Sequence, residues 1–166
     1  MSTACDYPTD ASEAQWEVLH LLLPKSKWRP GGPGRKPLDR RSVINGIFYV
    51  HKTGCQWRMM PKEFGNGHTI YEYFRRWRRE GVWARVMDTL RQWERQSQGR
   101  LPEPSAGCVD SQSIKTATQA EEVGFDGHKK VKGRQRPILV DTLGLIVTVV
   151  VTAANIDERQ DLMTLV

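Results

Sequence analysis

The chain has 166 residues, of which 39% are hydrophobic and 27% charged, and its formal net charge is +6. This length allows one domain or two small ones, and the composition excludes disordered and collagen-like chains. The excess of basic over acidic side chains lies in residues 1–100, which carry 18 basic and 10 acidic side chains. Residues 101–166 carry 7 basic and 9 acidic side chains. A basic half indicates a polyanionic partner, above all nucleic acid.

Cysteine content and hydropathy bear on the cellular compartment. Cys5, Cys55 and Cys108 are widely spaced and form no CxxC pair. This spacing excludes a disulfide framework and a cysteine-rich zinc site, and it fits a reducing cytosol. The longest apolar run, residues 143–154, is too short to span a bilayer, and the N-terminus lacks a signal-peptide pattern. We therefore expect a cytoplasmic protein with no membrane partner.

Two helices are predicted in the first part of the chain. Asp10 or Ser12 can cap the first, which Pro24 ends. Asp39 can cap the second, which runs to Gly54 with apolar residues recurring at helical spacing. Between these helices lies a loop rich in proline, glycine and basic residues. Two cations of this loop, Arg35 and Lys36, are candidates for DNA contact. Arg40 and Arg41, at the start of the second helix, are candidates too.

Two more helices follow, at residues 68–80 and 82–98. Gly81 breaks the first of them and Gly99 can terminate the second. The inward face of the second is predicted to carry Val82, Val86, Leu90 and Trp93. All six tryptophans and all four tyrosines precede residue 94. This concentration of aromatic residues favours two hydrophobic cores, one in each part of the chain.

The third predicted helix has a strongly basic surface. Its apolar positions leave four arginines on other faces, and several helices in succession are compatible with a helix-turn-helix arrangement. A solvated, charged helix face is the simpler alternative, but only one glutamate adjoins the arginines. We favour DNA contact by these four residues, Arg75, Arg76, Arg78 and Arg79.

The last sixty-six residues change from helical to strand periodicity. Residues 100–105 are a proline-rich linker between a helical domain, 1–99, and a second domain, 106–166. In the second domain, a short apolar strand ends at Asp110, and two β-rich runs meet in a tight hairpin at residues 141–144. The first of these runs begins at Pro137. The predicted fold class is thus α+β.

The second half of this hairpin and the residues after it suggest a layered domain. Residues 145–151 are almost continuously apolar, which predicts a strand buried on both faces. Residues 155–166 are typical of the start of a helix. Three strands and part of a helix resemble the first portion of a larger α/β domain.

A second basic stretch, residues 127–137, lies before the hairpin between flexible glycines. Five cations in eight positions can neutralise DNA phosphates, although a solvated basic loop is the alternative. We favour phosphate contact because Asp110 is only one strand away in the chain. The residues concerned are Lys129, Lys130, Lys132, Arg134 and Arg136.

An ordered series of motifs, from about residue 10 to residue 166, resembles the DDE-class insertion-sequence transposases, specifically the insertion-sequence-five family. The first blocks are Gly34-Arg35-Lys36-Pro37 with Arg40-Arg41, Asn45-Gly46 and Tyr49, then Thr53-Gly54-Cys55-Gln56-Trp57-Arg58 with Pro61 and Phe64. Next come Tyr71, Phe74-Arg75-Arg76-Trp77 and Gly81-Val82-Trp83. The last are Asp110-Ser111-Gln112-Ser113, Gly133-Arg134 and Ile138-Leu139-Val140-Asp141-Thr142-Leu143-Gly144.

The resemblance implies a helical DNA-binding domain followed by an RNase H-like domain that cleaves and joins DNA with a divalent metal, usually Mg²⁺. Carboxylates suit this chemistry because hard cations prefer oxygen ligands and two metal ions can stabilise both oxygens of an in-line displacement. Asp110 matches the family's first catalytic and metal-binding Asp. The implied partner is the double-stranded DNA of the element's ends, bound by a homo-oligomer.

The chain departs from the family pattern in its carboxylates. The second Asp and the Glu of the triad are expected after residue 166, and Asp141 lies in a turn context that indicates a structural role. One carboxylate cannot build a two-metal site, so we expect no strand transfer by this chain alone. A second polypeptide could supply the rest of the site. The alternatives are a DNA-binding regulator or inhibitor of transposition, and a degenerate fragment without a stable fold.

Overall fold

The computed structural model of the chain describes residues 7–26, 28–32, 36–116, 123–127 and 130–156. The chain divides into two compact units, Met1–Met87 and Asp88–Val166. Four helices occupy the first part and an antiparallel sheet the second, which confirms the predicted α+β class. The division falls inside the fourth helix, twelve residues before the predicted domain end at residue 99. The two halves of that helix therefore belong to different units.

The first two helices begin at the predicted capping residues. Helix α1, Glu13–Leu22, starts with a capping box in which Ser12 and Gln15 exchange hydrogen bonds. Helix α2, Arg40–Thr53, starts where the Asp39 side chain accepts a hydrogen bond from the Ser42 N–H, and it ends at Gly54 in the left-handed conformation. Side-chain caps of this kind contribute about 1 kcal/mol each, because they satisfy otherwise unpaired N–H groups.

Helix α3, Gly67–Arg79, follows two short 3₁₀ helices, Trp57–Met59 and Lys62–Phe64. The side chain of Asn66 accepts hydrogen bonds from the N–H groups of His68 and Thr69 and so fixes the helix start. The core of this unit is aliphatic and aromatic, and burial of each large side chain stabilises it by about 1.5–3 kcal/mol. Its largest fully buried side chains are Val43, Ile44, Ile47, Ile70, Trp77 and Val82.

Helix α4, Val82–Ser97, departs from the predicted inward face at Trp93. Val82 and Val86 are buried as predicted, but Trp93 is 43% exposed and Arg95 only 4%. The prediction of an inward Trp93 is therefore wrong. Apolar periodicity could not reveal that a buried ion pair of Arg95 determines which face of the helix turns inward.

The second unit contains a five-stranded antiparallel sheet organised around one long strand, β3, Val131–Asp141. Strand β1, Gly107–Lys115, pairs with β3 along one side, from Gly107 opposite Asp141 to Lys115 opposite Gly133. On the other side β3 pairs with three short strands. These are β2, Gly124–Asp126, β4, Ile146–Val149, and β5, Thr152–Ala153.

The hairpin between β3 and β4 is confirmed, but two predictions about its strands are wrong. Strand β3 begins at Val131 and passes through Pro137, although the absence of a proline N–H favours a strand start there. The apolar run after the turn is not buried on both faces, because Ile146, Val149 and Val151 are 48%, 43% and 53% exposed. Within the described residues no further layer covers these side chains.

Two further predictions meet the limits of the described structure. Asn155 and Ile156 form a turn, and the rest of the predicted helix at 155–166 lies outside the described residues. Among the helices that the structure describes, none combines the length and apolar character that a membrane crossing requires.

Candidate functional site

Asp110 lies in the middle of β1 and not at the end of a short strand as predicted. The strand continues for five residues beyond it because Lys115 and its predecessors pair with the basic half of β3. The Asp110 side chain is exposed, and its Oδ1 accepts a hydrogen bond from the Ser111 N–H at 2.9 Å. Asp110 is thus an accessible carboxylate on a strand whose outer side has no partner within the described residues.

The register of β1 and β3 places Asp110 on a cationic surface. Asp110 lies opposite Ile138, and Gln112 lies opposite Arg136. Since side chains alternate between the two faces of a strand, residues two apart share a face. We call the face that carries Asp110 the Asp110 face. It includes Cys108, Asp110, Gln112 and Ile114 of β1, and Arg134, Arg136, Ile138 and Val140 of β3.

The basic stretch, residues 127–137, which was expected to lie before the hairpin, mostly belongs to strand β3. Lys132, Arg134 and Arg136 occupy alternate positions of β3, so all three belong to the side of the sheet that carries Asp110. Lys130 is exposed in the turn before β3, and Lys129 lies outside the described residues. On the opposite face, Gln135, Pro137 and Asp141 are buried.

Asp141 has the structural role that its turn context indicates. Its Oδ1 accepts hydrogen bonds from the N–H groups of Leu143 and Leu145, at 2.8 and 2.9 Å. Its Oδ2 accepts a hydrogen bond from Arg95 Nη1 at 2.5 Å, and both side chains are buried. Burial alone would raise the pKa of Asp141, but the N–H of Leu145, the Arg95 guanidinium and the N–H of Leu143 together hold it below its ordinary value.

We expect the second unit to lose stability in acid as Asp141 becomes protonated. Its pKa is lower in the folded than in the unfolded chain, so the unfolded chain binds the proton more readily. The stabilisation is present above the unfolded pKa of about 4 and is lost as the pH falls through the folded value. Urea unfolding between pH 7 and pH 2 would measure this. An Asp141→Asn variant should show a shallower decline, and equal slopes for the two proteins would contradict the expectation.

In the first unit the arginines of α3 are exposed as predicted. Arg75, Arg78 and Arg79 lie on the solvent side, and Arg76 stacks on Tyr73 with its guanidinium carbon 4.6 Å from the ring centroid. The pair between Arg75 Nη1 and Glu72 Oε1 is long, at 3.6 Å, and both side chains are about half exposed. Such a surface pair contributes little. Cations in a last helical turn also stabilise the helix dipole, which is the structural alternative to DNA contact.

The two arginines at the start of α2 hold α1 and α2 together. Arg40 Nη1 donates to the Pro24 carbonyl at 3.2 Å, and Arg41 Nη2 donates to the Ala11 carbonyl at 3.1 Å. Arg41 Nη1 also pairs with Glu13 Oε2 at 2.6 Å. Both guanidinium groups are therefore engaged within the protein.

The basic loop before α2 is described only in part. Lys36 is exposed, and Arg35 lies outside the described residues. A cleft of about 380 Å³ lies between this loop and α3. Its lining includes Lys25, Arg40 and Arg76 together with Tyr73 and Trp77, so cationic and aromatic groups meet beside the α3 arginines.

Two functional candidates escaped the sequence predictions. The buried Arg95 could not be found from periodicity, because an arginine in a helix is normally assigned to solvent. Gln112 carried a usable signal, because it lies two residues after Asp110 and strand alternation predicts a shared face. No feature of the sequence distinguishes its partner Arg136 from the other cations of the basic stretch.

Comparisons with known proteins cover both units. Residues 11–87 match the family model described as transposase of the IS4/5 family, and residues 101–166 match the transposase DDE domain. A curated relative, the insertion element IS402 uncharacterized 16.2 kDa protein of Burkholderia cepacia, is 35% identical over 112 residues. The aligned region is 66% of this chain and 75% of the relative. No solved structure gives a significant match.

A DDE domain implies an RNase H-like fold and a divalent metal cofactor. Asp110 supplies an exposed carboxylate oxygen, the ligand type that hard cations take. No group of three or more His, Cys, Asp or Glu side chains within the described part of the chain is arranged to hold a metal ion. The described residues thus fit one ligand of such a site and do not hold the metal by themselves.

The identity of the chain rests on agreement between its two halves. The helical unit carries the IS4/5 match, the sheet carries the DDE match, and the curated relative is itself an insertion-element protein. The ordered motifs of the sequence predicted the same family. The chain belongs to the IS4/5 family of DDE transposases.

Proposed function

We propose that the chain binds the terminal-repeat DNA of its insertion element through α3 and contributes Asp110 to a Mg²⁺-dependent site for DNA cleavage and strand transfer. The observation that carries the proposal is the exposure of Arg75, Arg78 and Arg79 on one helix within the transposase match. Exposed arginines can approach phosphates at little cost, since the long surface pair between Arg75 and Glu72 contributes little. Lys36 and the residues lining the adjacent cleft extend the same cationic surface.

Asp110 requires further ligands, and the sheet has a place where they can be supplied. Strand β1 is nine residues long and mostly exposed, and within the described residues it pairs only with β3. An unpaired edge of this length readily accepts another strand. We infer that a strand from a second polypeptide, or from another part of the transposase, pairs with β1 and brings the remaining carboxylates to Asp110.

A second function, regulation of transposition by DNA binding alone, is favoured by one observation. The described residues contain no group of three or more His, Cys, Asp or Glu side chains arranged to hold a metal ion, whereas the α3 arginines need no metal. A chain that occupies the element ends without cutting them would inhibit transposition. Both functions require specific binding to terminal repeats, so a direct measurement of affinity tests both.

The proposed binding is tested by fluorescence anisotropy with the full chain and duplexes that carry the terminal repeats of its element. We expect binding at least about 10³-fold tighter than to a scrambled duplex, and a steep fall in affinity with salt concentration. Equal affinity for both duplexes would overturn the proposal, as would binding that is insensitive to salt.

Asp110→Ala separates the two functions. The variant should bind terminal-repeat DNA as the unmodified chain does, because Asp110 lies on the sheet and not on α3. In a cleavage assay with Mg²⁺, the chain together with the polypeptide that completes its sheet should cut the element end, and Asp110→Ala should abolish this. Cutting that survives in the variant would remove Asp110 from the site, whereas inhibition of an intact transposase without cutting would favour the regulator.

A further inference from the structure

A surface hydrogen bond links Gln112 and Arg136 across β1 and β3. The two residues are directly opposite in the register, and Arg136 Nη2 donates to Gln112 Oε1 at 2.7 Å. Both share the Asp110 face, and Arg136 is the diagonal neighbour of Asp110 across the strand pair. Diagonal neighbours in an antiparallel pair lie about 7–8 Å apart at the backbone, which is within reach of an arginine side chain.

The guanidinium of Arg136 is only partly satisfied by the described residues. Its Nε is buried and has no hydrogen-bond partner among them. Because this Nε is closed to solvent it does not itself meet a phosphate, and the donors that can are those of the two Nη groups, of which Nη2 already donates to Gln112. A planar guanidinium is suited to bind the oxygens of a phosphate diester, because it offers several N–H donors in a fixed geometry.

Gln112 also explains why Arg136 leaves Asp110 accessible. Among the described residues no ion pair within 4 Å joins Arg136 to Asp110, although a carboxylate is a stronger acceptor than an amide. The amide oxygen of Gln112 accepts a hydrogen bond from the guanidinium of Arg136 and so holds it opposite Gln112, two residues along β1 from Asp110. A carboxylate that is to bind a cation has to remain free of such a pair, since an adjacent guanidinium would compete with the cation.

We propose that Arg136, oriented by Gln112, binds a phosphate of the DNA strand at the junction between the element end and the flanking DNA and so positions it beside Asp110. The inference rests on the proposed function, because it assumes that this junction reaches the Asp110 face. It goes further by assigning one cation of the basic stretch to one phosphate and by giving Gln112 the role of a positioning residue.

The test measures coupling between Arg136 and individual phosphates. Duplexes spanning the junction are prepared with a single uncharged methylphosphonate at each successive position, and their affinities are measured for the full chain and for Arg136→Gln. We expect Arg136→Gln to weaken binding to the unmodified duplex about tenfold. At one or two adjacent positions the methylphosphonate should weaken binding to the unmodified chain but not to the variant. A change in fold would not produce such a position-specific effect.

Two further variants complete the test. Lys132→Gln removes the same charge from the same strand without touching Gln112, and it should show no coupling at the junction phosphates. Gln112→Ala should keep part of the affinity for the duplex. Its coupling to the methylphosphonates should extend over more phosphate positions, because the guanidinium of Arg136 loses its fixed orientation. Uniform loss of affinity in Arg136→Gln and Lys132→Gln, with no coupled phosphate, would overturn the inference and leave specific terminal-repeat binding intact. Loss of that specific binding in the unmodified chain would instead overturn the proposed function.

Discussion

Replacing Arg95 by methionine is expected to lower the free energy of unfolding of the second unit by about 3–5 kcal/mol. The substitution keeps much of the side-chain volume but leaves the buried carboxylate of Asp141 without its cation. It also removes the hydrogen bond from Arg95 Nε to the Leu101 carbonyl, at 2.8 Å. Removing one partner of a buried ion pair is strongly destabilising, because the remaining charge stays desolvated.

Urea unfolding monitored by circular dichroism would measure this effect. Arg100→Met is the matched control, because Arg100 is exposed and a surface substitution usually changes stability by no more than about 0.5 kcal/mol. Similar losses in the two variants would show that the Arg95–Asp141 pair does not stabilise the unit. Arg91, whose Nη1 donates to the Val147 carbonyl at 3.3 Å, provides a weaker link from the same helix to the hairpin.

The second large effect is expected for DNA binding by α3. Changing Arg75, Arg78 and Arg79 together to glutamine should weaken binding to terminal-repeat DNA by about 100-fold or more and reduce the slope of log affinity against log salt by about 3. Each arginine that neutralises a phosphate releases counterions from the DNA, so three lost contacts lower the salt dependence in proportion. Anisotropy titrations at salt concentrations from about 50 to 200 mM would measure the affinity and its salt dependence.

A control must remove the same charge from the same unit. Lys52, Arg58 and Lys62 are exposed and lie outside α3, so their triple change to glutamine provides it. We expect a smaller loss of affinity from this control. Equal losses in the two triple variants would mean that overall charge attracts the DNA and that α3 has no special place in the interface. Thermal unfolding of both variants would show that the fold is retained.

Local signals in the sequence were sufficient to predict the helices and the hairpin. Ser12 and Asp39 cap their helices because their side-chain oxygens lie next to unpaired N–H groups in the same turn. Gly54 and Gly99 end theirs because glycine adopts the left-handed conformation at little cost. The turn at Asp141 is equally local, since that carboxylate accepts N–H groups only two and four residues ahead.

The family resemblance also came from the sequence, because it depends on the order of motifs and not on their contacts. The arginines of α3 were predicted to be exposed from the position of the apolar face alone, and they are. The roles of Arg40 and Arg41 could not be predicted in this way. Their acceptors belong to α1 and the residues around it, more than ten positions away in the chain.

The candidate site was decided by tertiary structure, because its geometry depends on strand pairing. Which residues of β3 lie opposite Asp110 follows from a register between segments more than twenty residues apart, and no local pattern specifies it. The same pairing extends β1 past Asp110 and makes most of the basic stretch part of β3. The sequence by itself determined the family, the helix boundaries and the hairpin turn. Only the folded chain decided that Arg95 is buried against Asp141 and that Gln112 and Arg136 flank the candidate catalytic carboxylate.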